Sequence, residues 1–426
     1  MAISETYAKW RYRLVPDHVV GELLSKNWID NAIPVFILAL LLIVFGTVID
    51  NFFTFGTFST MLRQMGELTF VVLGMTLVIL AGGIDLSVGS VFALANFLTL
   101  FLLNYLQVPV MVGILLVLLV GALCGLINGV LVGYLKLRAF LTTLATLIII
   151  SAIVEILTFR YARDVVMYTP DSKLWDLLAA GTVLGIPFNF VLVLVVAVAM
   201  HIYLTRMRKG WHITAVGGSR RSAYNAGINV RGTVCLTYVI SGIFASFAGV
   251  LYAARLNSAG SETGAGLEVT VLTAAVLGGN SLGGGRGSVA KALLGTFIVV
   301  LLTSSLLRLQ MPSGYNSLLL GGALLVAVAT DVRWLKNRHK LLSRVYVSPT
   351  YFAPTTAAST DPGSGSPYEI NDRLAEAEAI GLDQVDGAED LAFDRQDNIY
   401  TGSRHGDIVR FFAPDYSRSE IFAHIG

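Results

Sequence analysis

One acidic residue, Asp85, is the only charged side chain between Glu67 and Lys136. An apolar stretch of this length is enough for about three membrane-spanning helices of roughly 20 residues each. A carboxylate inside it is costly unless it caps a helix, pairs with another group or meets water. The Gly-Gly pair at 82–83 suits the end of one helix, and Asp-Leu-Ser at 85–87 suits the start of the next. The sequence therefore predicts a membrane protein with a helix break beside one carboxylate.

The composition identifies the class of protein. Of 426 residues, 55% are hydrophobic and 14% are charged, whereas soluble domains carry about 25% charged residues. Apolar runs occur in about ten places, at 32–49, 62–82, 86–106, 109–133, 139–158, 188–205, 233–254, 268–282, 288–308 and 314–331. We predict an all-α polytopic membrane protein with about ten transmembrane helices, some of them broken or half-length, such as the one in the short run 268–282.

Basic residues indicate the orientation, because cytoplasmic loops carry an excess of Lys and Arg. They cluster in the first residues of the chain and after the fourth, sixth and tenth runs, which lie on one side of the membrane if the runs alternate. We therefore expect a cytoplasmic N-terminal arm over 1–31, a transmembrane domain over 32–340, and both termini in the cytoplasm.

The last part of the chain has a different composition. Residues 341–370 are rich in Pro, Ser, Thr and Gly and are typical of a linker. Residues 371–426 begin with a short polar helical pattern over 371–380 and then alternate like β-strands separated by turn residues. This pattern predicts a short β-rich C-terminal fragment, similar to a single propeller blade and cytoplasmic. One blade cannot cover its own apolar faces, so we expect a truncated product or a partner fragment.

Three segments of the apolar region together resemble the permease subunits of ATP-binding-cassette (ABC) sugar importers of the ribose type. They are GMTLVILAGGIDLSVGS at 74–90, INGVLVGYLKLRAFLTTLAT at 127–146 and AAVLGGNSLGGGRGS at 274–288. The resemblance covers about residues 30–340, which is nearly all of the predicted membrane domain.

The resemblance implies a pore-forming subunit in a bacterial inner membrane that imports a monosaccharide. Its implied partners are a second permease subunit, identical or different, cassette ATPase subunits on the cytoplasmic side and a periplasmic sugar-binding protein. No catalysis, cofactor or nucleic-acid partner is expected in this chain, because ATP and Mg would be bound by the partner ATPase. Permeases for nucleosides or branched-chain amino acids remain alternatives. So does a secondary transporter with Asp85 and Glu155 as coupling carboxylates.

A basic segment between the sixth and seventh runs is the predicted docking site for the ATPase. Ser219 suits a helix N-cap, residues 220–226 suit about two helical turns, and Gly227 suits a left-handed stop. The segment is similar to the coupling-helix loop of ABC permeases, which implies ATPase contacts from Gly217, Gly218, Ser219, Arg221, Ala226 and Gly227. The alternative is a basic amphipathic loop lying on anionic lipid.

Polar residues inside the apolar runs are candidates for the substrate pathway. Asp85 could cap the restarting helix, line the pathway, or do both. The other candidates are Ser87, Asn96, Asn128 and Asn280. Asparagines in membrane helices also serve as hydrogen-bonded links between helices, so a purely structural role stays open.

Two further motifs bear on nucleotide binding and on metal binding. The glycine-rich segment 278–287 lacks the Gly-Lys-Ser/Thr ending of a phosphate-binding loop, so no ATP site is expected. Residues 387–394, 397–400 and 406–411 resemble the first blade of gluconolactonase or strictosidine-synthase-like propellers. In that family Glu389 would ligate a metal only together with further blades, so we expect no metal site here. A membrane-tethered lactonase is the enzymatic alternative.

Overall fold

A computed structural model describes residues 29–260, 262–329, 359–366, 368–370, 372, 375–388 and 390–425. The chain divides into two compact units, residues 1–347 and 348–426. The first unit is a helical bundle and the second is a small β-sheet.

The helices of the first unit match the apolar runs of the sequence. Their bounds are α1 Ile29–Val48, α2 Phe55–Leu80, α3 Val88–Leu100, α4 Val110–Gly129, α5 Ala139–Val166, α6 Lys173–Ala180, α7 Phe188–Arg206, α8 Arg208–Gly218, α9 Arg220–Asn225, α10 Val230–Leu256, α11 Leu267–Leu277, α12 Val289–Arg308 and α13 Ser313–Ala329. A two-stranded hairpin, β1 Thr182–Val183 and β2 Ile186–Pro187, precedes α7. π-helical turns extend α3 over Phe101–Tyr105 and α4 over Val130–Tyr134.

The hydropathy of these helices confirms a polytopic α-helical membrane protein. Within the described residues, seven helices are long and apolar enough to cross a membrane, and three further apolar helical stretches, 32–48, 267–277 and 313–329, are shorter. Each of the ten predicted runs overlaps one helix. The number of spans stays a prediction, because three of the ten apolar stretches are short.

Helix α10 lies at the centre of the bundle and packs against α2, α3 and α4. Its contact with α4 depends on glycine. A Cβ atom added at Gly242 would lie 2.2 Å from the Gly121 carbonyl oxygen, and one at Gly125 would lie 2.3 Å from the Tyr238 carbonyl oxygen. The two backbones therefore touch, which is the usual way for membrane helices to gain packing without a hydrophobic driving force.

The second unit is a four-stranded antiparallel sheet in chain order. Its strands are β3 Leu391–Phe393, β4 Ile399–Gly402, β5 Asp407–Phe411 and β6 Ser419–His424. This confirms the predicted β-rich fragment. The helix expected over 371–380 is wrong for the described residues 375–380, which form a turn and irregular structure.

The turn between β3 and β4 is organised by one carboxylate. Asp394 Oδ1 accepts hydrogen bonds from the Gln396 and Asn398 backbone N–H groups at 2.8 and 3.0 Å, and Oδ2 accepts from Asn398 Nδ2 at 2.8 Å. The side-chain bond from Asn398 is the main reason that the pKa of the Asp394 carboxyl lies below its usual value. Ile399, Val409 and Phe411 form the small buried cluster of the sheet.

Replacing Gly125 by leucine should destabilise the bundle, because the new side chain would force α4 and α10 apart. Overpacking of this kind costs about 1–3 kcal/mol or more. The matched control is Gly321→Leu, since no atom lies within 4 Å of a Cβ placed at Gly321. We expect a lower apparent melting temperature in detergent, measured by size exclusion after heating, for the Gly125 variant alone. Equal melting of the two variants would contradict the close α4–α10 contact.

Candidate functional site

The two ends of the bundle carry different features, and we name them after the short helices found there. The α6 end includes Arg63 of α2, whose Nη2 donates to the Ala180 carbonyl oxygen at 3.0 Å. The α9 end includes the C-terminus of α2 and the segment 207–229.

Helix α9 is capped at both ends as the sequence predicts. Ser219 Oγ accepts a hydrogen bond from the Ser222 N–H at 3.2 Å. At the other end Gly227 has a φ of +78°, and the Ile228 N–H donates to the Ala223 carbonyl oxygen at 3.0 Å. These local bonds stabilise a helix of only six residues that would not persist alone.

One face of α9 is anchored and the rest is exposed. Ala223 is buried against Val216 of α8 and Val234 of α10. Arg221 and Tyr224 are exposed, as are the other predicted docking positions Gly218, Ser219, Ala226 and Gly227, while Gly217 is half-buried. The segment is thus a fixed helix whose outer face is free in the part of the chain that the structure describes.

Glycines from three separate segments of the chain meet beside α9, and we call this contact the glycine junction (Gly82, Gly217, Gly284 and Gly285). A Cβ added at Gly217 would lie 1.8 Å from the Leu80 carbonyl oxygen and 2.6 Å from the Gly285 nitrogen. One added at Gly284 would lie 2.8 Å from the Gly217 carbonyl oxygen and 2.9 Å from Gly82 Cα. The break after α2, the last turn of α8 and the loop after α11 therefore touch through backbone atoms.

Asp85 lies next to the glycine junction, in the break between α2 and α3. Its side chain is buried, and Oδ1 accepts from the Ser87 N–H at 3.1 Å and from Ser87 Oγ at 2.6 Å. Oδ2 accepts from Ser241 Oγ of α10 at 2.9 Å. Asn128 Nδ2 of α4 donates to Ser87 Oγ at 2.8 Å. The carboxylate therefore satisfies a backbone N–H at the restart of the chain and also links the loop to α10 and, through Ser87, to α4.

The two remaining pathway candidates lie apart from Asp85. Asn280 Oδ1 accepts from the Ser288 N–H at 2.9 Å, and Nδ2 donates to the Ala275 carbonyl oxygen at 2.9 Å, so the side chain shapes the loop after α11. Asn96 Nδ2 of α3 donates to the Ser258 carbonyl oxygen at 3.0 Å. All five candidates are buried and bonded to protein in this conformation. Their role in a pathway stays a prediction.

A cavity of about 290 Å³ opens near the α6 end between α2, α3, α10, α11 and α12. Its polar walls come from residues that the sequence analysis did not select, namely Gln64, Glu67, Tyr252, Arg255, Thr270 and Thr303. Ligand sites in proteins combine apolar walls with a few convergent polar groups, and this cavity has both.

An ion pair forms one wall of this cavity. Arg255 Nε donates to Glu67 Oε1 at 2.5 Å, and Nη2 donates to Oε2 at 2.8 Å. The Glu67 side chain is 7% exposed and that of Arg255 is 25% exposed. The Arg255 guanidinium also lies 5.5 Å from the centre of the Tyr252 ring. A charge this deep in an apolar bundle is tolerable only when it is paired, and the two-point geometry holds both side chains in place.

The sequence contains a hint of this pair. Glu67 lies inside the second apolar run, and Arg255 directly follows the seventh. Alternating spans place the start of the second run and the end of the seventh on the same side of the membrane. Glu155, the other carboxylate considered from the sequence, is exposed on α5.

Among the described residues, no group of three or more His, Cys, Asp or Glu side chains could hold a metal ion. Glu389, the metal ligand considered for the C-terminal fragment, lies outside the described residues.

Replacing Asp85 by alanine should destabilise the break between α2 and α3. The change removes the acceptor for the Ser87 N–H, the Ser87 hydroxyl and the Ser241 hydroxyl, and a buried donor without a partner costs about 1–3 kcal/mol. Asp171→Ala is the control, because Asp171 is exposed. The measurement is the apparent melting temperature in detergent. An Asp85→Ala protein that melts with the control would show that the carboxylate does not hold the break.

Comparison with known proteins gives two matches to families. Residues 57–329 match the model described as "Branched-chain amino acid transport system / permease component". Residues 366–411 match the model "Strictosidine synthase-like, N-terminal". No solved structure matches the chain.

Several characterised relatives match over most of their length. The ribose import permease protein RbsC of Escherichia coli (strain K12) is 32% identical over 307 residues, which cover 72% of this chain and 95% of the relative. The D-allose transport system permease protein AlsC of the same strain is 32% identical over 297 residues, covering 70% and 90%. The ribose import permease protein RbsC of Bacillus subtilis (strain 168) is 33% identical over 271 residues, covering 64% and 83%.

Proposed function

We propose that this chain, which belongs to the permease-component family of branched-chain amino acid-type transport systems, is the permease subunit of an ABC importer for a monosaccharide. The relatives that cover most of it are named as permeases for ribose and allose, which favours a sugar over the amino acids of the family description. Ribose is therefore the first substrate to test. The bacterial inner membrane is the proposed location, with both termini and the α9 end on the cytoplasmic side.

The observation that carries the proposal is the construction of α9. A short helix with caps at both ends, an anchored Ala223 and an exposed outer face is suited to insertion into a groove on another protein. A loop adsorbed on lipid would have no need for this rigid attachment to α8 and α10. We therefore propose that the cassette ATPase binds here, through the outer face of α9 and its flanking residues.

The glycine junction offers a route by which movement of α9 would reach the helix breaks. Gly217 lies in the last turn of α8, just before α9, and its backbone touches both Leu80 at the end of α2 and Gly285 in the loop after α11. Because no side chains lie between these backbones, neither segment can move far without displacing the other. A displacement of α9 would be passed to α2 and to the loop between α11 and α12.

The roles that we propose for the partner proteins are those implied by the family. Partner subunits would bind ATP and Mg and perform the hydrolysis, so this chain would hold no cofactor. A second permease subunit would complete the pathway in the membrane. A periplasmic binding protein would deliver the sugar at the α6 end.

Transport by the reconstituted complex tests the proposal. The full chain is placed in vesicles with a cassette ATPase of a ribose-type importer, and a ribose-binding protein is supplied outside. We expect uptake of labelled D-ribose that requires ATP and the ATPase. Uptake that persists without the ATPase would instead indicate a secondary transporter.

Replacing Ala226 by tryptophan should weaken binding of the ATPase without destabilising the helical bundle. Ala226 is exposed, so the added ring would obstruct a docking groove and leave the protein's own packing intact. Thr182→Trp, an equally exposed change at the α6 end, is the control. Co-purification with the ATPase and ribose uptake should both fall for the first variant alone. Unchanged co-purification would contradict docking at α9.

Alanine at Gly217 should impair coupling much more than alanine at the adjacent Gly218. A methyl group at Gly217 meets the Leu80 carbonyl at 1.8 Å, while nothing lies within 4 Å of one at Gly218. Overpacking worth about 1–3 kcal/mol would shift an equilibrium between two arrangements by at least roughly fivefold. The measurement is ribose transported per ATP hydrolysed. Equal ratios for the two variants would contradict transmission through the junction.

A further inference from the structure

We propose that the cavity at the α6 end binds a neutral monosaccharide, with Arg255, held in place by Glu67, donating hydrogen bonds to its hydroxyl groups. This inference rests on the proposed function and assigns the substrate a site within this chain. The alternative is that Glu67 and Arg255 form a purely structural link between α2 and α10.

The first argument is hydrogen-bonding capacity that remains unused. A guanidinium has five N–H donors, and the bond to Glu67 uses two of those on Arg255. The other three have no partner among the described residues. The Gln64 side-chain nitrogen and the Tyr252 hydroxyl also lack a partner within that part of the chain, while Gln64 Oε1 accepts from Ser304 Oγ at 2.6 Å. Donors are thus concentrated around an open space.

Acceptors also line the cavity. Thr270 Oγ1 donates to the Gly266 carbonyl oxygen at 3.1 Å, and Thr303 Oγ1 donates to the Val300 carbonyl oxygen at 3.2 Å. Each hydroxyl proton is therefore committed to the backbone, which leaves the oxygen as an acceptor. This set of donors and acceptors matches a ligand whose hydroxyl groups can each donate and accept a hydrogen bond.

The charge of the cavity selects against ions. The described residues that line it include one acid and one base, and these two neutralise each other in a two-point bond. A sugar acid would need a cation that is not already paired, and an amino acid would need a second pair of charges. An uncharged polyol needs neither.

The size and the apolar wall agree with one sugar ring. Binding cavities range from about 300 to 1,000 Å³, and about 290 Å³ is at the lower limit, which suits a monosaccharide better than an oligosaccharide. Phe92 and Tyr252 pack edge to face with their centres 5.2 Å apart. Aromatic rings of this kind give the C–H faces of a sugar an apolar surface.

Protection of a cysteine against a thiol reagent tests occupancy directly. Leu68 lines the cavity without taking part in its hydrogen bonds, so we choose Leu68→Cys in a chain whose own cysteines are replaced (Cys124→Ala and Cys235→Ala). Thr182→Cys in the same background is the control, because it is exposed away from the cavity. We expect D-ribose to slow labelling by N-ethylmaleimide at position 68 alone, and D-ribonate to have no effect.

Two charge variants distinguish a ligand site from a structural ion pair. Glu67→Gln frees the guanidinium and makes the cavity cationic, so D-ribonate should now protect the cysteine. The double variant Glu67→Gln, Arg255→Met restores neutrality but removes the guanidinium donors. Its rate of ribose uptake at saturating binding protein should stay roughly 10- to 100-fold below that of the wild type, as expected when a charged hydrogen bond is lost. Recovery of that rate would favour the structural pair.

The outcomes separate this inference from the proposed function. If the wild-type complex shows no ATP-dependent ribose uptake, the proposed function fails. If it transports ribose, but ribose does not protect the cysteine at position 68 and the double variant transports at the wild-type rate, the sugar does not use this cavity and the inference fails. Melting temperatures of all variants in detergent identify any that are merely unfolded.

Discussion

The hydrogen bond from the Gly285 N–H to the Leu80 carbonyl oxygen, at 2.9 Å, allows helix α2 to end inside the bundle. The last carbonyl groups of a helix have no partner within it, and in a bilayer there is no water to replace one. The three preceding carbonyls of α2 are satisfied locally by the N–H groups of residues 81–83. Leu80 has no such local partner, so a second segment of backbone must come within bonding distance, and only glycine at 217, 284 and 285 leaves room for it.

Close approach of two backbones, for which only glycine leaves room, also explains the packing of α11 against α12. A Cβ at Gly278 would lie 1.9 Å from the Lys291 carbonyl oxygen, and one at Gly295 would lie 1.8 Å from the Ala274 carbonyl oxygen. Both helix breaks thus depend on backbone contacts, and both lead into the glycine junction. At the α9 end, the end of α2, the last turn of α8 and the loop after α11 are consequently in direct backbone contact. The cavity between α2, α10 and α12 lies toward the opposite end, where several of the lining side chains are large and polar.

Local patterns in the sequence predicted the local structure well. The break at Gly82, the Ser219 cap and the Gly227 stop each depend on residues that act within a few positions of one another, and the strands of the C-terminal sheet follow from their alternation. The Glu67–Arg255 pair could not be derived in this way, because its members are 188 residues apart and meet only through the rotation of α2 against α10. Long-range pairing of this kind depends on helix register, which hydropathy does not determine.

Asp85 and Glu67, the two buried carboxylates among the described residues of the bundle, are stabilised by different kinds of partner, and this bears on which part can rearrange. Asp85 is held by neutral hydroxyls and one N–H, and a serine hydroxyl that loses a carboxylate can turn to a backbone carbonyl, as Ser90 Oγ does toward the Ser87 carbonyl oxygen at 2.9 Å. Glu67 is held by the charged guanidinium of Arg255. Separating this pair would leave two unpaired ions in apolar surroundings, which costs several kcal/mol. The break beside α9 is therefore the more easily remodelled of the two. The ion pair near the α6 end should instead keep its geometry while the cavity beside it changes shape.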